Sequence, residues 1–297
     1  AWVPERVFEP KIVKVFAKSG IKGIFLDEHL LLRGMPHLKE KDTLKLRKAK
    51  FDNYDVAVFN ISKKLRYLIP WEPVKNTIDY LRQLAITENN CSDTPHTSLV
   101  TRHSSFVICH SSFVTRHSPI AFFGDDGEKM GLWKGSENKC SWLDQFLTEL
   151  EDVPEIVSIH AEDYLKSRTE IDEGMFDSGS YTEMETWSFN DIHNWLKHPL
   201  VKNMYSRLMF VRSRLSEPSK NEYILRAETN DPYWYARRMT YHRQEIYRSL
   251  LLAEKCGMRN ADCGIWTLDN GHIVVENPKY RIFLDETGRI YGWDVKS

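Results

Sequence analysis

The sequence predicts an α/β chain in which helix and strand alternate over the first part, followed by a helical stretch and then a β segment. Three observations point there. "KIVKVFAKS" (11–19) has helical spacing and is closed by Gly20, and the apolar run of "IKGIFLDEH" follows it at once as a strand. Acidic side chains gather directly behind apolar runs, in "FLDEH" and "FFGDDGEK", which is where parallel α/β barrels build their sites. From about residue 188 the texture turns helical, and from about residue 265 apolar and polar residues alternate.

Taken in order, "YDVAVFNIS" (54–62) reads as a second strand, Pro73 opens a helix through "VKNTIDYLRQLA", and "PIAFFG" (119–124) reads as a third buried strand. In "TRHSSFVICHSSFVTRHS" the unit H-S-S-F-V recurs with a seven-residue period. His103, His110 and His117 would share one helical face, yet the residues between them carry no helix-forming bias. The segment reads as a duplicated surface insert, and no metal site is assigned. "DIHNWLKHPLVKNMYSRLMFVRSRLSE" and "HRQEIYRSLLLAEKCG" are helical by period, with Gly257 as a C-cap. The D-N-G and E-T-G-R turns of "IWTLDNGHIVVENPKYRIFLDETGRIYGWDV" then punctuate a run of strands.

The 297 residues, 41% of them hydrophobic, suffice for a large core, and a net charge of −1 supplies no field toward nucleic acid or an anionic membrane. No apolar run is long enough to span a bilayer. Nine tryptophans fit either a large core or an aromatic-lined site for a sugar or another flat ligand. The five cysteines are scattered without a C-x-x-C pair, which suggests neither a disulfide framework nor a zinc site and fits a reducing cytoplasm. The chain opens at Ala1 without Met and stops inside a strand pattern, so both ends read as cut.

"WVPERVFEP" (2–10), "FLDEHLLLRG" (25–34), "VFNISKKLRYLIPWEPV" (58–74), "FFGDDGEKMGLW" (122–133), "SYTEMETWSF" (180–189) and "ILRAETNDPYW" (224–234) resemble, in order, the signature blocks of glycoside hydrolase family 57. They look closest to its 4-α-glucanotransferase and α-amylase branch. The resemblance implies an incomplete seven-stranded (β/α) barrel over 1–187 with the repeat insert at about 92–118. A helical module over 188–258 and the first strands of a β-sandwich over 259–297 would follow. It implies an α-glucan or maltooligosaccharide substrate, retention of anomeric configuration and no organic cofactor.

Retention uses two carboxyl groups, one as nucleophile and one as acid/base, about 5–5.5 Å apart. By resemblance the acid/base is Asp126, and its neighbours Asp125 and Glu128 are expected to raise its pKa by like-charge repulsion. Counting back from Val58 places the family's nucleophile position at Lys50, a residue that cannot form the glycosyl ester. If the segment is extended, Asp52 shares a face with Lys50, but it is one methylene shorter and displaced by about 6–7 Å along the strand, which argues against its serving as a substitute. The resemblance carries over Glu5, Asp27, His29, Glu128, Asp231 and Trp234 as substrate-binding residues. Each has a plainer role to weigh: a salt bridge to Arg6 for Glu5, a structural imidazole for His29, a buried packing residue for Trp234. Glu183 reads equally as a hydrogen-bonding residue of the barrel rim. With lysine at position 50, a non-catalytic glucan-binding or scaffold relative is the alternative.

Overall fold

A computed structural model describes residues 1–86, 107–109, 119–236, 239–257 and 263–296, which fall into two units, Ala1–Thr186 and Trp187–Ser297. Most of the H-S-S-F-V repeat, with His103, His110 and His117, lies outside the described residues. No helix among the described residues is long and apolar enough to cross a membrane.

In the first unit the helix predicted at 11–19 is α1 (Ile12–Lys18). Gly20 ends it at φ +74°, its N–H bonded to the Ala17 carbonyl and that of Ile21 to Phe16, a left-handed cap open to glycine. The strand that follows is β1 (Gly23–Asp27), shorter than its apolar run because "EHLLLRG" turns helical as α2 (Glu28–Gly34). A hairpin comes next, β2 (Arg47–Phe51) and β3 (Tyr54–Ile61), reversing at Asp52 with φ +52°. Two helices, α3 (Lys63–Leu68) and α4 (Val74–Ile86), lead on to β4 (Val107–Cys109) and β5 (Ala121–Phe122). The unit closes with α5 (Lys139–Glu151), β6 (Val157–Ser158), α6 (Ala161–Lys166), β7 (Asp172–Glu173) and α7 (Thr182–Trp187).

The seven strands form one sheet in the order β6-β4-β5-β3-β2-β7, with β1 paired to β3 off this path. β1 and β5 run parallel to β3, whereas β2 is antiparallel to it and β4 to β5. The α/β character is as expected, but the pairing is mixed because β2 and β3 are joined by a tight turn instead of a helical crossover. The central strands are buried on both faces. Ile24, Leu26, Val56 and Val58 share one apolar cluster, and Ala57, Phe59, Phe122 and Tyr164 another. Phe25, Phe59 and Phe122 pack with ring centroids 4.9–5.3 Å apart, an aromatic floor from which the strand ends emerge.

The second unit holds α8 (Asn194–Lys197), α9 (Pro199–Arg214), α10 (Glu222–Ala227), α11 (Asp231–Tyr235) and α12 (Thr240–Gly257). An antiparallel meander follows: β8 (Gly264–Thr267), β9 (Ile273–Glu276), β10 (Tyr280–Leu284) and β11 (Ile290–Val295). Gly271 and Gly288, both at φ +82°, occupy the D-N-G and E-T-G turns. Helices and sheet share one core, in which Val274 and Phe283 join Val201, Met204, Ile224 and Leu250. Beside it Arg207 and Arg281 both pair with Glu254.

Candidate active site

The acidic residues of the first unit meet at one end of the sheet because β1, β3 and β5 run parallel and release their chains there. Asp27 ends β1 on the same face as Phe25, since side chains two apart in a strand share a face. Arg66 and Tyr67 lie on α3, directly after β3, and Asp125 and Asp126 follow β5. The N-terminal segment joins them: Trp2 bridges Phe25 in parallel, and Pro4–Arg6 then forms a 3-10 turn beyond the strand end.

Arg66 is the hub. Its Nε lies 3.2 Å from Asp125, and its Nη1 lies 3.4 Å from Asp27 and 3.3 Å from Glu183. Two side chains, Glu28 and Ser62, hold α3 in place for this. The buried Glu28 accepts the N–H of Lys63 at 2.9 Å and the hydroxyl of Thr43 at 3.0 Å, and Ser62 caps the same helix by accepting from Leu65. Burial pushes the Glu28 carboxyl up, only partly offset by those two bonds. Arg6 pairs with the other oxygen of Asp27 at 3.3 Å and donates to the Gly124 carbonyl at 3.3 Å. Asp27, expected to bind substrate, is 1% exposed, with its two oxygens turned to Arg6 and Arg66. Burial raises its pKa against the pull of those arginines.

In the "GDDGE" loop the two aspartates have opposite circumstances. Asp125 is closed in by Arg66 and by Lys129. Asp126 is open to solvent, and its pKa is raised, first by partial desolvation and then by Asp125 and Glu128. Repulsion by these neighbours thus contributes as expected, but burial comes first. Glu128 is exposed beside it. Glu183 accepts the Tyr67 hydroxyl at 2.6 Å. Burial would raise its pKa, but the bonds from Tyr67 and Arg66 prevail and lower it. His29 lies 3.4 Å from Glu185, which Arg33 also engages with both its Nη atoms.

Glu5 and Lys50 depart most from expectation. Glu5 is half-buried with left-handed backbone angles (φ 50°, ψ 15°), and Arg6 also has φ 50°. Each costs on the order of 1–3 kcal/mol in a non-glycine residue and persists only where the surroundings impose it. The Tyr181 side chain hydrogen-bonds the Glu5 carboxylate and lies within electrostatic reach of Asp126. Lys50 lies elsewhere. It pairs with Asp55 at the start of β3, and its ammonium binds Glu173. Asp55 is six residues before Ile61, the residue that meets β5, so Lys50 lies roughly 20 Å of strand away from the acidic cluster. Asp52 sits at the same remote hairpin, paired with Lys14 at 3.1 Å. The count back from Val58 fails because the chain upstream of β3 is an antiparallel partner, which leads away from the site.

Asp231 and Trp234 belong to the second unit. Asp231 is exposed in the first turn of α11. The Trp234 ring packs edge-on to Trp195 and Trp187, at 3.9 and 6.1 Å between centroids. Sequence reasoning named Arg6 only as a salt-bridge partner for Glu5 and assigned no role to Arg66, Tyr67 or Tyr181. The signal was present in "KLRYLIP" and "SYTEMETW", but the contacts that give them meaning join positions 39 or more residues apart.

A model of glycosyl hydrolase family 57 matches residues 1–176, and the chain belongs to that family. It is similar to the 4-alpha-glucanotransferase of Thermococcus litoralis, 28% identical over 79% of this chain and 36% of that protein. It is likewise similar to alpha-amylase 1 of Dictyoglomus thermophilum, 25% identical over 100% of this chain and 46% of that one. The crystal structure of the Thermococcus litoralis 4-alpha-glucanotransferase superposes with a TM-score of 0.76 at 23% identity, covering 99% of this chain and 48% of its own, a likeness of fold. The chain thus spans less than half the length of these relatives.

Proposed function

We propose that the first unit carries the catalytic centre of a retaining α-glucan-active enzyme, a 4-α-glucanotransferase or α-1,4-glucan hydrolase, with Glu5 as nucleophile and Asp126 as acid/base. The observation that carries this reading is that Tyr181 hydrogen-bonds Glu5 and lies within electrostatic reach of Asp126, while Lys50 pairs with the opposite end of β3. The non-catalytic alternative rested on a lysine replacing the nucleophile, and the position of Lys50 removes that reason.

In the first step a Glu5 oxygen bonds to the anomeric carbon as the glycosidic C–O bond breaks, and Asp126 gives its proton to the departing oxygen. In the second, the Asp126 carboxylate takes a proton from water or from an acceptor sugar hydroxyl. That oxygen attacks the anomeric carbon, and the ester electrons return to Glu5. The raised pKa of Asp126 suits the first step, because an acid must hold its proton near the working pH. The names of the relatives support the α-glucan and leave both transfer and hydrolysis in the reading. Glu128 stands beside the acid to bind hydroxyls. Asp231 and Trp234, carried over from the family blocks, are proposed as glucan-binding residues of the second unit.

A β-sandwich, as the resemblance implies, is supported by the outward face of the second unit's sheet. The row Trp293, Ile282, Val275 and Ile265 crosses all four strands on one face, and Ile265 and Trp293 are 72% and 60% exposed. An antiparallel sheet facing water would carry polar residues there.

The test of the catalytic reading is maltooligosaccharide disproportionation and hydrolysis by the complete chain beside Glu5→Gln and Asp126→Asn. Both variants are expected to lose at least about 1000-fold in kcat. Asp126→Asn should keep cleaving an α-glycosyl fluoride, whose leaving group needs no acid. Undiminished turnover by Glu5→Gln would overturn the assignment.

A further inference from the structure

We propose that Tyr181 is a positioning residue for the nucleophile: its phenol donates a hydrogen bond to the Glu5 carboxylate and fixes which oxygen faces the anomeric carbon. This rests on the reading of Glu5 given above.

Three sets of contacts tie the tyrosine down. The arginines flanking the site both lie against its ring, Arg6 at 4.1 Å and Arg66 at 5.3 Å from guanidinium carbon to ring centroid, a cation–π arrangement that holds the ring plane. The preceding residue, Ser180, donates its hydroxyl to the Glu5 carbonyl. Before that, Gly179 and Phe8 exchange backbone bonds at 2.8 and 3.0 Å. Gly179 has no room for a side chain, since a Cβ there would lie 2.1 Å from Glu185 and 2.5 Å from Arg33. Residues 179–181 are thus laced along residues 5–8, and the phenol is delivered to the carboxylate by backbone and side chain together. Burial and the adjacent Glu5 push the phenol's pKa above its usual value, so it remains a donor throughout the range in which a carboxylate can attack.

A carboxylate with one oxygen held by a donor presents the other in a defined direction. In the covalent intermediate the held oxygen becomes the ester carbonyl, so the same phenol serves both steps. A displacement of about 1 Å in reacting groups costs on the order of 100-fold, and that is the loss expected when the donor goes.

The test is Tyr181→Phe in the complete chain, which keeps the ring between the arginines and removes one oxygen. The probe is 5-fluoro-α-glucosyl fluoride. Glu5 attack forms the O–C1 bond as C1–F breaks, fluoride leaves with its electron pair, and the ester accumulates. Maltotriose Kd and the melting temperature are measured on the same samples. The expected result is a trapping rate down by about 100-fold, with Kd within about twofold and the melting temperature unchanged. A trapping rate within twofold of the parent overturns the proposal. So does a parallel loss of trapping, binding and thermal stability, which marks a merely structural tyrosine. Glu5→Gln in the same assay separates the two readings. If it is still trapped, the nucleophile assignment fails. If it is inert while Tyr181→Phe reacts normally, only the tyrosine's role fails.

Discussion

Replacing Arg66 with methionine removes the charge on which the acidic site is assembled and keeps most of the buried stem. At 5% exposure Arg66 faces Asp125 at 3.2 Å, Glu183 at 3.3 Å and Asp27 at 3.4 Å. Removing one partner from a buried ion pair costs about 3–5 kcal/mol, because the remaining charge is left in a poor solvent. Each carboxylate here keeps a second partner: Arg6 for Asp27, Lys129 for Asp125 and the Tyr67 hydroxyl for Glu183. Glu183 is also 30% exposed and partly hydrated. The expected loss is therefore at the lower end, about 3 kcal/mol at pH 7. For the 186-residue first unit that is a fall of about 6–12 °C in melting temperature.

The pH dependence has a definite sign. Burial already raises the folded-state pKa of Asp27, and losing Arg66 raises it further. The variant's penalty is largest at neutral pH and shrinks as the pH falls through that raised value and the stranded carboxyl takes a proton. Thermal melts from pH 7 to pH 4.5, with urea titrations at each end, measure both quantities. A loss under about 1 kcal/mol at pH 7, against the 3–5 expected for a broken buried pair, would refute the reasoning. A loss that grows on acidification would refute it equally.

Other expectations follow from particular contacts. Lys50→Ala and Lys50→Glu should leave maltooligosaccharide turnover within about twofold, since the side chain lies roughly 20 Å of strand from the site; activity gained only in the glutamate variant would restore the discarded mapping. Gly34→Ala would bring its Cβ within 2.2 Å of the Met175 carbonyl oxygen, and urea unfolding should record a loss of about 1–3 kcal/mol from overpacking. Glu185 has its pKa lowered: burial works to raise it, and the bonds from Arg33 and the Ser180 N–H outweigh that. Its stabilising contribution is present above the unfolded value of 4.5 and is lost as the pH falls through the lower folded value. Acid melts of Arg33→Ala should show this acid-sensitive component reduced, and an unchanged profile below pH 4.5 would count against the pairing.

Much of this architecture was readable from the chain itself, and the parts that were not share a cause. The helix at 12–18, the strands at 23–27 and 54–61 and the helix opened by Pro73 follow local rules of period, cap and turn, and lie within a residue or two of expectation. The acidic loop behind "IAFF" drew notice because like charges crowd the end of a buried strand, but only the family blocks set it above a solvated D-D-G turn. The hairpin partner Arg47–Phe51 was not: "RKAKF" carries three cations and only Ala49 and Phe51 as alternating apolar residues, and its strand character comes from pairing with β3. That omission left unseen that Lys50 pairs with the start of β3, away from the acidic cluster, because strand direction decides which end of the sheet a residue reaches. Tyr181 was missed for a related reason. Its partners are Glu5, Arg6 and Arg66, brought to it by the fold from 115 or more positions away.

The central claim is that Glu5 forms the covalent bond to the sugar. Trapping the complete chain with 5-fluoro-α-glucosyl fluoride, digesting it at low pH and sequencing the mass-shifted peptide by mass spectrometry tests this directly. The account predicts the label on Glu5, within "WVPERVFEP". A label on any other carboxylate, Asp52 included, would contradict it.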